Sequence, residues 1–214
     1  MTRKLFWENP YQTELTTTIT SLMENDLTLA ETILYAFSGG QEGDAGTIAD
    51  RVVLAARKQG REIIYTLADT AGLRVGDTVS VQLDWASRYT LMRLHFAAEI
   101  VLELVSRRFP GIQKIGAHIA QDKARIDFLS AESLAPVLPA LWADAQAMIA
   151  ADAAIVSAFS DETAERRYWE IAGFARVACG GTHLRRTGEV GRLELRRKNP
   201  GKGKERIELY VHER

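Results

Sequence analysis

The only cysteine of the chain lies in the stretch "VACGGTHLRR", where Cys179 and His183 are four positions apart. The Gly-Gly pair between them makes a helix unfavourable, because glycine weakens helix interiors. We therefore expect a tight turn that brings the sulfur and the imidazole together. A thiolate and an imidazole are ligands that zinc prefers in proteins.

A second pair of candidate ligands, His95 and Glu99, lies within "SRYTLMRLHFAAEIVLELVSRRF". Apolar residues recur there at the spacing of one helical stripe, and Leu91, Leu94, Ala98, Leu102 and Val105 form it. Side chains four apart project from one helical face, here at the edge of the stripe. Together with the first pair they form a nitrogen, oxygen and sulfur set suited to one zinc ion per chain. The alternative is a surface hydrogen-bonded pair with no metal.

The elements that must position these residues fall into two regions. Residues 1–86 carry short β-like runs broken by glycine and aspartate, which favours a small β-barrel or compact sheet. The runs are "TILYAF", "REIIYTLAD", "DTVSVQLDW" and "TTTITSLMENDLTLA", the last folded around an Asn-Asp turn. The pattern changes at Ser87, where the long helix begins. We predict an α+β protein with domains over residues 1–86 and 87–214.

Helices and strands are mixed in the second region. "FPG" ends the long helix, "QKIGAHIAQDKARIDFLS" predicts a hairpin, and a helix is predicted from Pro139 to Ala150. Ser160 is predicted as the N-cap of a further helix that runs to Gly173. The strands "GFARVAC", "GRLELRRKN" and "RIELYVH" are predicted to follow, the last two joined by the turn "PGKGK".

Composition sets limits on the class of protein. With 214 residues, 46% hydrophobic and 26% charged, the chain can bury one large core or two small ones. A single cysteine excludes an internal disulfide and fits a reducing compartment. The sequence shows no signal peptide and no run near the roughly 20 apolar residues of a membrane span. We expect a cytoplasmic protein with no membrane partner.

The net charge of −1 is unevenly distributed. Residues 185–214 contain ten lysines and arginines against five glutamates, so the rest of the chain is acidic. A basic region on an acidic body predicts contact with a phosphate backbone, while ordinary surface charge on a solvated strand pair is the alternative. The candidate contacts are Arg196, Arg197, Lys202 and Lys204.

These motifs resemble one known family over nearly the whole chain. "LFWENPYQTE" resembles its opening segment, "FSGGQEGDAGTI" its glycine-rich loop, "DWASRYTLMRLH" the entry to its first metal motif, "HIAQDKARIDF" the hairpin after that helix, and "CGGTHLRRTGEVG" its second metal motif. The family is the freestanding alanyl-tRNA editing proteins, the AlaX group in its medium-length class, related to the editing domains of alanyl- and threonyl-tRNA synthetases. The resemblance implies a small β-barrel-like domain followed by a two-layer α/β editing domain.

The resemblance also implies an activity. Such proteins hydrolyse the ester that joins a wrong amino acid, chiefly serine and in some members glycine, to alanine tRNA. At 23.8 kDa the chain leaves no room for an aminoacylation core, so we expect it to act in trans. In this interpretation zinc is held by His95, Glu99, Cys179 and His183, and Glu99 and Thr182 are candidate catalytic residues.

The glycine-rich loop supplies the candidate substrate contacts Gly39, Gly40, Gln41 and Asp44. A turn in which Asp44 bonds its own backbone is the structural alternative. The loop lacks the Gly-Lys-Ser/Thr ending of a nucleotide P-loop, so no NTP is expected as a partner.

Two positions depart from the family pattern. Glu99 stands where the first metal motif has its second histidine, and Ser38 where a glycine opens the loop. Glu99 is therefore either a zinc ligand or a base. Two other classes of function stay open, a non-catalytic tRNA-binding module with a degenerate metal site and a zinc-dependent hydrolase of a small molecule. Oligomeric state and the choice between serine and glycine are also open at this point.

Overall fold

A computed structural model describes residues 1–213 of the chain. The fold is α+β, as the sequence predicts, and is built mostly from strands, with two α-helices among the described residues. The chain divides into two compact units, residues 1–89 and the residues from Thr90 onwards. Within the described part of the chain no helix is long and apolar enough to cross a membrane.

The first unit is a β-structure. Its strands are β1 (Arg3–Lys4), β2 (Glu14–Met23), β3 (Asp26–Leu29), β4 (Glu31–Thr32), β5 (Gly46–Ile48), β6 (Arg51–Gln59), β7 (Glu62–Leu67) and β8 (Thr78–Leu83). Six of them pair in the closed order β2-β3-β7-β6-β5-β8, and β1 pairs with β4 in parallel. The strict alternation of β8, "TVSVQL", buries Val79, Val81 and Leu83 in the core of this unit.

The segment "TILYAF" is not the strand that was predicted, because β4 ends at Thr32. Residues 33–36 are buried but have no regular structure. Two amides of this segment bond to side chains and not to the backbone of a neighbouring strand. The amide of Leu34 donates to Thr32 Oγ1 at 3.1 Å, and the amide of Tyr35 donates to Asp44 Oδ2 at 2.5 Å.

A buried ion pair holds the end of the glycine-rich loop in the first unit. The side chains of Asp44 and Arg88 have no exposed surface. Arg88 Nε donates to Asp44 Oδ1 at 2.8 Å, and Arg88 Nη2 donates to Asp44 Oδ2. Arg88 also donates to the carbonyls of Ile33 at 2.6 Å and Pro10 at 2.8 Å. Asp44 therefore has a structural task, and its contact with substrate stays a prediction.

The second unit contains most of α1 (Trp85–Arg108), which begins in the first unit, and all of α2 (Leu138–Ala150). Its strands are β9 (Gln113–Ile119), β10 (Ala124–Leu129), β11 (Val156–Asp161), β12 (Arg166–Ile171), β13 (Ala175–Ala178), β14 (Arg192–Gly201) and β15 (Lys204–His212). They form two antiparallel sheets, in the orders β14-β15-β10-β9 and β11-β12-β13. The long helix, the helix that ends at Ala150, the β9–β10 hairpin and the β14–β15 hairpin are confirmed.

The helix predicted from Ser160 to Gly173 is wrong, because this segment contains the end of β11, a turn and β12. The sequence "RRYWEI" alternates in burial, with Arg167 and Trp169 facing the interior. A period of two suits one face of a sheet and not a helix. The Ser160 hydroxyl donates to the carbonyl of Arg166 across the β11–β12 connection.

A close backbone approach fixes the rotation of α1 in the second unit. Arg93 Nε donates to the carbonyl of Val190 at 3.0 Å, and its Nη2 donates to the carbonyl of His212 at 2.6 Å. A Cβ atom at Gly191 would lie 2.7 Å from that Nη2 and 2.6 Å from the His212 carbonyl, at a φ of 81°. Only glycine fits this position without a shift of the His212 carbonyl and of the Arg93 guanidinium.

Replacement of Asp44 by alanine is expected to lower the free energy of unfolding by about 3–5 kcal/mol, because it leaves the Arg88 charge buried without its partner. Denaturant unfolding followed by circular dichroism measures the change. Asp69→Ala is the matched control, since it removes an exposed partner of Arg51 and should leave the midpoint near that of wild type. A wild-type midpoint for Asp44→Ala would contradict the structural task given to this pair.

Candidate metal centre

Three of the predicted zinc ligands meet in the second unit. His95 lies on α1, and Cys179 and His183 lie on the segment that follows β13. One donor atom from each of the three lies within 4.8 Å of the other two. Nε2 of His183 is 3.3 Å from the Cys179 sulfur, and Nε2 of His95 is 3.5 Å from it. Neighbouring nitrogen and sulfur ligands of a tetrahedral zinc ion are about 3.5 Å apart, given bonds of about 2.0–2.3 Å.

The hydrogen bonds around the two imidazoles direct their lone pairs at the sulfur. His95 Nδ1 faces the carbonyl of Thr182 at 3.3 Å, so we assign the proton to Nδ1. His95 Nε2 then points its lone pair at the sulfur and at the Glu99 carboxylate. His183 Nδ1 pairs with Ser157 Oγ at 2.9 Å, which leaves its Nε2 for the sulfur. Electron-rich atoms that face one another require a proton or a cation between them, so this donor set fits a metal ion.

The charges around the two imidazoles favour a positive group at that place. Burial lowers the pKa of His95, but the charge of Cys179 and the hydrogen bonds with Cys179 and Glu99 outweigh burial and raise it to about 10. Burial raises the pKa of Glu99, yet the hydrogen bond and charge of His95 bring it down to about 2. Burial and the nearby charge on His95 hold the pKa of His183 well below its usual value. The site therefore accommodates a single positive charge where the ligand atoms meet.

Glu99 is next to the group formed by His95, Cys179 and His183 but is not a member of it. Its Oε1 is 3.2 Å from His95 Nε2 and 3.5 Å from the Cys179 sulfur. Its Oε2 accepts a hydrogen bond of 3.0 Å from the indole N–H of Trp169, a fully buried residue. The carboxylate thus has a fixed orientation, and ligation by Glu99 stays a prediction.

One face of the sheet β11-β12-β13 supplies residues that the sequence motifs did not reveal. Ser157, which bonds His183, is directly opposite Trp169, which bonds Glu99, so both side chains lie on the same face. The next position on that face of β12 is Arg167, which is buried and whose carbonyl accepts a 3.0 Å hydrogen bond from the Cys179 amide. The alternation of "RRYWEI" was the available signal, and the wrong helix prediction concealed it.

Thr182 is buried and orients His95 through its backbone carbonyl. The catalytic task predicted for its side chain stays a prediction.

The other predicted loop residues belong to the first unit. Ser38 and Gln41 form a tight turn in which each amide donates to the other's carbonyl, at 3.2 and 3.0 Å. Between them Gly39 and Gly40 have φ values of 62° and 90°, a conformation that favours glycine. Gln41 is buried. The substrate contacts predicted for this loop stay predictions.

The candidate tRNA contacts differ in their surroundings. Arg197 donates to both oxygens of the buried Glu205, at 2.8 and 2.5 Å, which favours a structural task. Arg196 pairs with the exposed Glu194 at 2.7 Å. Lys202 and Lys204 are exposed at the β14–β15 turn. The role of all four in binding tRNA stays a prediction.

Comparison with known proteins decides the family. The chain is 30% identical over 224 residues to the alanyl-tRNA editing protein AlaX-M of Pyrococcus horikoshii, which covers 99% of this chain and 98% of that protein. The chain belongs to this family. It is also similar to AlaX-M of Methanosarcina mazei, at 29% identity over 97% of this chain and 95% of the relative. The resemblance found in the sequence motifs is confirmed.

Two further comparisons point to tRNA synthetases. The alanine–tRNA ligase of Ignicoccus hospitalis is 32% identical over 91% of this chain, but the match covers 24% of the ligase. The family model described as the threonyl and alanyl tRNA synthetase second additional domain matches residues 170–208, which contain Cys179 and His183.

Ser157→Ala is expected to weaken zinc binding by about 10–100-fold, because it removes the hydrogen bond that orients His183. Competition with a chromophoric chelator measures the dissociation constant. Ser160→Ala is the matched control on the same strand, because its hydroxyl bonds a backbone carbonyl in the β11–β12 connection. Equal zinc affinities for both variants would contradict the assignment of Ser157.

Proposed function

We propose that this protein hydrolyses the ester bond of alanine tRNA charged with the wrong amino acid, serine above all and glycine as the second candidate. The observation that carries the proposal is the His95–Cys179–His183 group in a chain that matches an alanyl-tRNA editing protein over nearly its whole length. The substrate is charged tRNA released by a synthetase, which places the protein in the cytoplasm. In this proposal residues 87–214 form a two-layer α/β editing domain, and residues 1–86 form a β-barrel-like domain.

One zinc ion per chain is proposed as the cofactor, held by His95, Cys179 and His183. A bound zinc ion supplies Lewis-acid chemistry and leaves a fourth position open when three protein ligands hold it. The bonds that orient the two imidazoles support a working centre and disfavour a degenerate binding module. The thiolate of Cys179 and the carboxylate of Glu99 together balance two positive charges.

Glu99 is proposed as the base. An aminoacyl ester is already activated, so the site needs mainly to position water and stabilise the developing oxyanion. Trp169 holds Oε2 of the carboxylate so that Oε1 faces the ligand atoms. Oε1 accepts the proton of the attacking water and returns it to the ribose oxygen that leaves. Thr182 and the loop residues Gly39, Gly40 and Gln41 are proposed to contact the amino acid and the terminal nucleotide, while Asp44 supports the loop through its buried pair with Arg88.

The purified protein is expected to release serine from serine-charged alanine tRNA much faster than buffer does, and to leave alanine-charged tRNA close to its spontaneous rate. Loss of radiolabelled amino acid from the two tRNAs measures both rates. A chelator should abolish the difference, and added zinc should restore it. Equal decay of both charged tRNAs with and without protein would refute the proposed function.

Variants of the metal centre show whether Glu99 acts as a base or as a zinc ligand. If Glu99 is the base, Glu99→Ala is expected to keep stoichiometric zinc and to lose about 10²–10⁴-fold in rate. Cys179→Ala is expected to lose most of the zinc as well as the activity, because it removes one of three ligands. Metal content by atomic absorption and the deacylation rate are measured on the same samples. Loss of zinc in Glu99→Ala would instead make Glu99 a ligand, and Glu99→His would then restore the metal.

A further inference from the structure

The sheet β14-β15-β10-β9 has one apolar face and one charged face. Residues that are directly opposite on antiparallel strands share a face. Across β14, β15 and β10 the apolar face carries the row Leu195, Leu209 and Ala124. Two rows on the opposite face are charged throughout: Lys198, Arg206 and Asp127 in one, and Arg196, Glu208 and Arg125 in the other. Lys123 joins them by donating to Glu208 at 2.9 Å. We call these seven residues the charged face.

The carboxylates of Asp127 and Glu208 are more buried than the cations that pair with them. The side chains of Asp127 and Glu208 are 11% and 7% exposed. Arg125 and Lys123, which pair with them, are 33% and 34% exposed. Glu194, in the next row of the same sheet face and 39% exposed, pairs with Arg196. With Glu194 counted, five cations still outnumber three carboxylates, so the surface that meets solvent is positive.

The buried carboxylates hold the cations in fixed orientations. Arg206 donates to both oxygens of Asp127, at 2.6 and 3.0 Å, and Arg125 donates to the same carboxylate. One negative charge thus orients two guanidinium groups and neutralises only one of them. Two held guanidinium groups with spare N–H donors make a surface that suits phosphate oxygens.

The two outermost cations add to this surface. Arg196 lies over the ring of Tyr210, 4.6 Å from its centroid, which holds the guanidinium against the sheet. Lys198 is exposed and lies opposite Arg206. Three neighbouring strands with spacings of about 4.8 Å spread the cations over about 10 Å, wide enough for more than one phosphate group.

We infer that the charged face binds the phosphate backbone of the tRNA whose ester is hydrolysed at the metal centre. The identity of the RNA rests on the proposed function, and the recognition of phosphate rests on the charged face. Arg197, on the opposite face of β14 and paired with Glu205, takes no part.

The test removes two exposed cations without breaking a buried pair. Arg196→Gln combined with Lys198→Gln is expected to raise the dissociation constant for uncharged alanine tRNA by about tenfold at low salt. The slope of log affinity against log salt concentration is expected to fall by about 2, because each phosphate contact contributes about 1. Fluorescence anisotropy over a series of salt concentrations measures both quantities. Unfolding midpoints and zinc content confirm that the variant is folded.

The matched control removes the same charge from exposed positions outside the charged face, with Arg74→Gln combined with Arg108→Gln. This control is expected to bind tRNA within about twofold of wild type and to keep its salt slope. Equal weakening in both double variants, an unchanged slope in the first, or no binding of tRNA by wild type would each overturn the inference. Deacylation by the wild-type protein is measured separately, so a failure of the proposed function is distinguished from a failure of this surface.

Discussion

The second unit is organised around electron pairs that point at one place. Two imidazole nitrogens and one sulfur come within bonding distance of a common centre, and such a cluster is unstable unless positive charge sits among them. No single element supplies this geometry. A helix provides His95, a turn provides Cys179 and His183, and each imidazole is aimed by a partner behind it. The contacts that hold the helix, the turn and the strands together therefore also position the candidate ligand atoms.

The aiming partners come from three kinds of structure. A backbone carbonyl at Thr182 holds one imidazole, a strand hydroxyl at Ser157 holds the other, and an indole at Trp169 holds the carboxylate of Glu99. Each partner holds its group by a hydrogen bond before an ion binds, so the ligand atoms lose little further freedom on binding. This is preorganisation, and it explains why a small three-stranded sheet stands next to the centre.

The sequence predicts the ligands better than it predicts their supports. The i,i+4 spacing of His95 and Glu99 and the Gly-Gly turn before His183 are local patterns, and both geometries are found as expected. Ser157 and Trp169 act through strand register, which joins residues far apart in the chain and leaves little local signal. The helix predicted from Ser160 failed for a related reason, since a cap residue and a terminal glycine outweighed the alternating pattern of "RRYWEI". After β4 ends, the amide of Tyr35 bonds to the side chain of Asp44 and not to a neighbouring strand. The hydrophobic periodicity of the sequence gives no sign of such a bond.

The place of β15 in its sheet has a consequence for biosynthesis. β15 lies between β14 and β10, so the latest strand of the sheet in chain order is an interior one. Until residue 212 has left the ribosome, β10 lacks a neighbour on that side and β14 lacks its hairpin partner. The β-structure before Tyr89 pairs only within itself and is free to form first. A nascent chain can thus form the β-structure of its first unit early, while the four-stranded sheet is completed only when β15 pairs with both β14 and the distant β10.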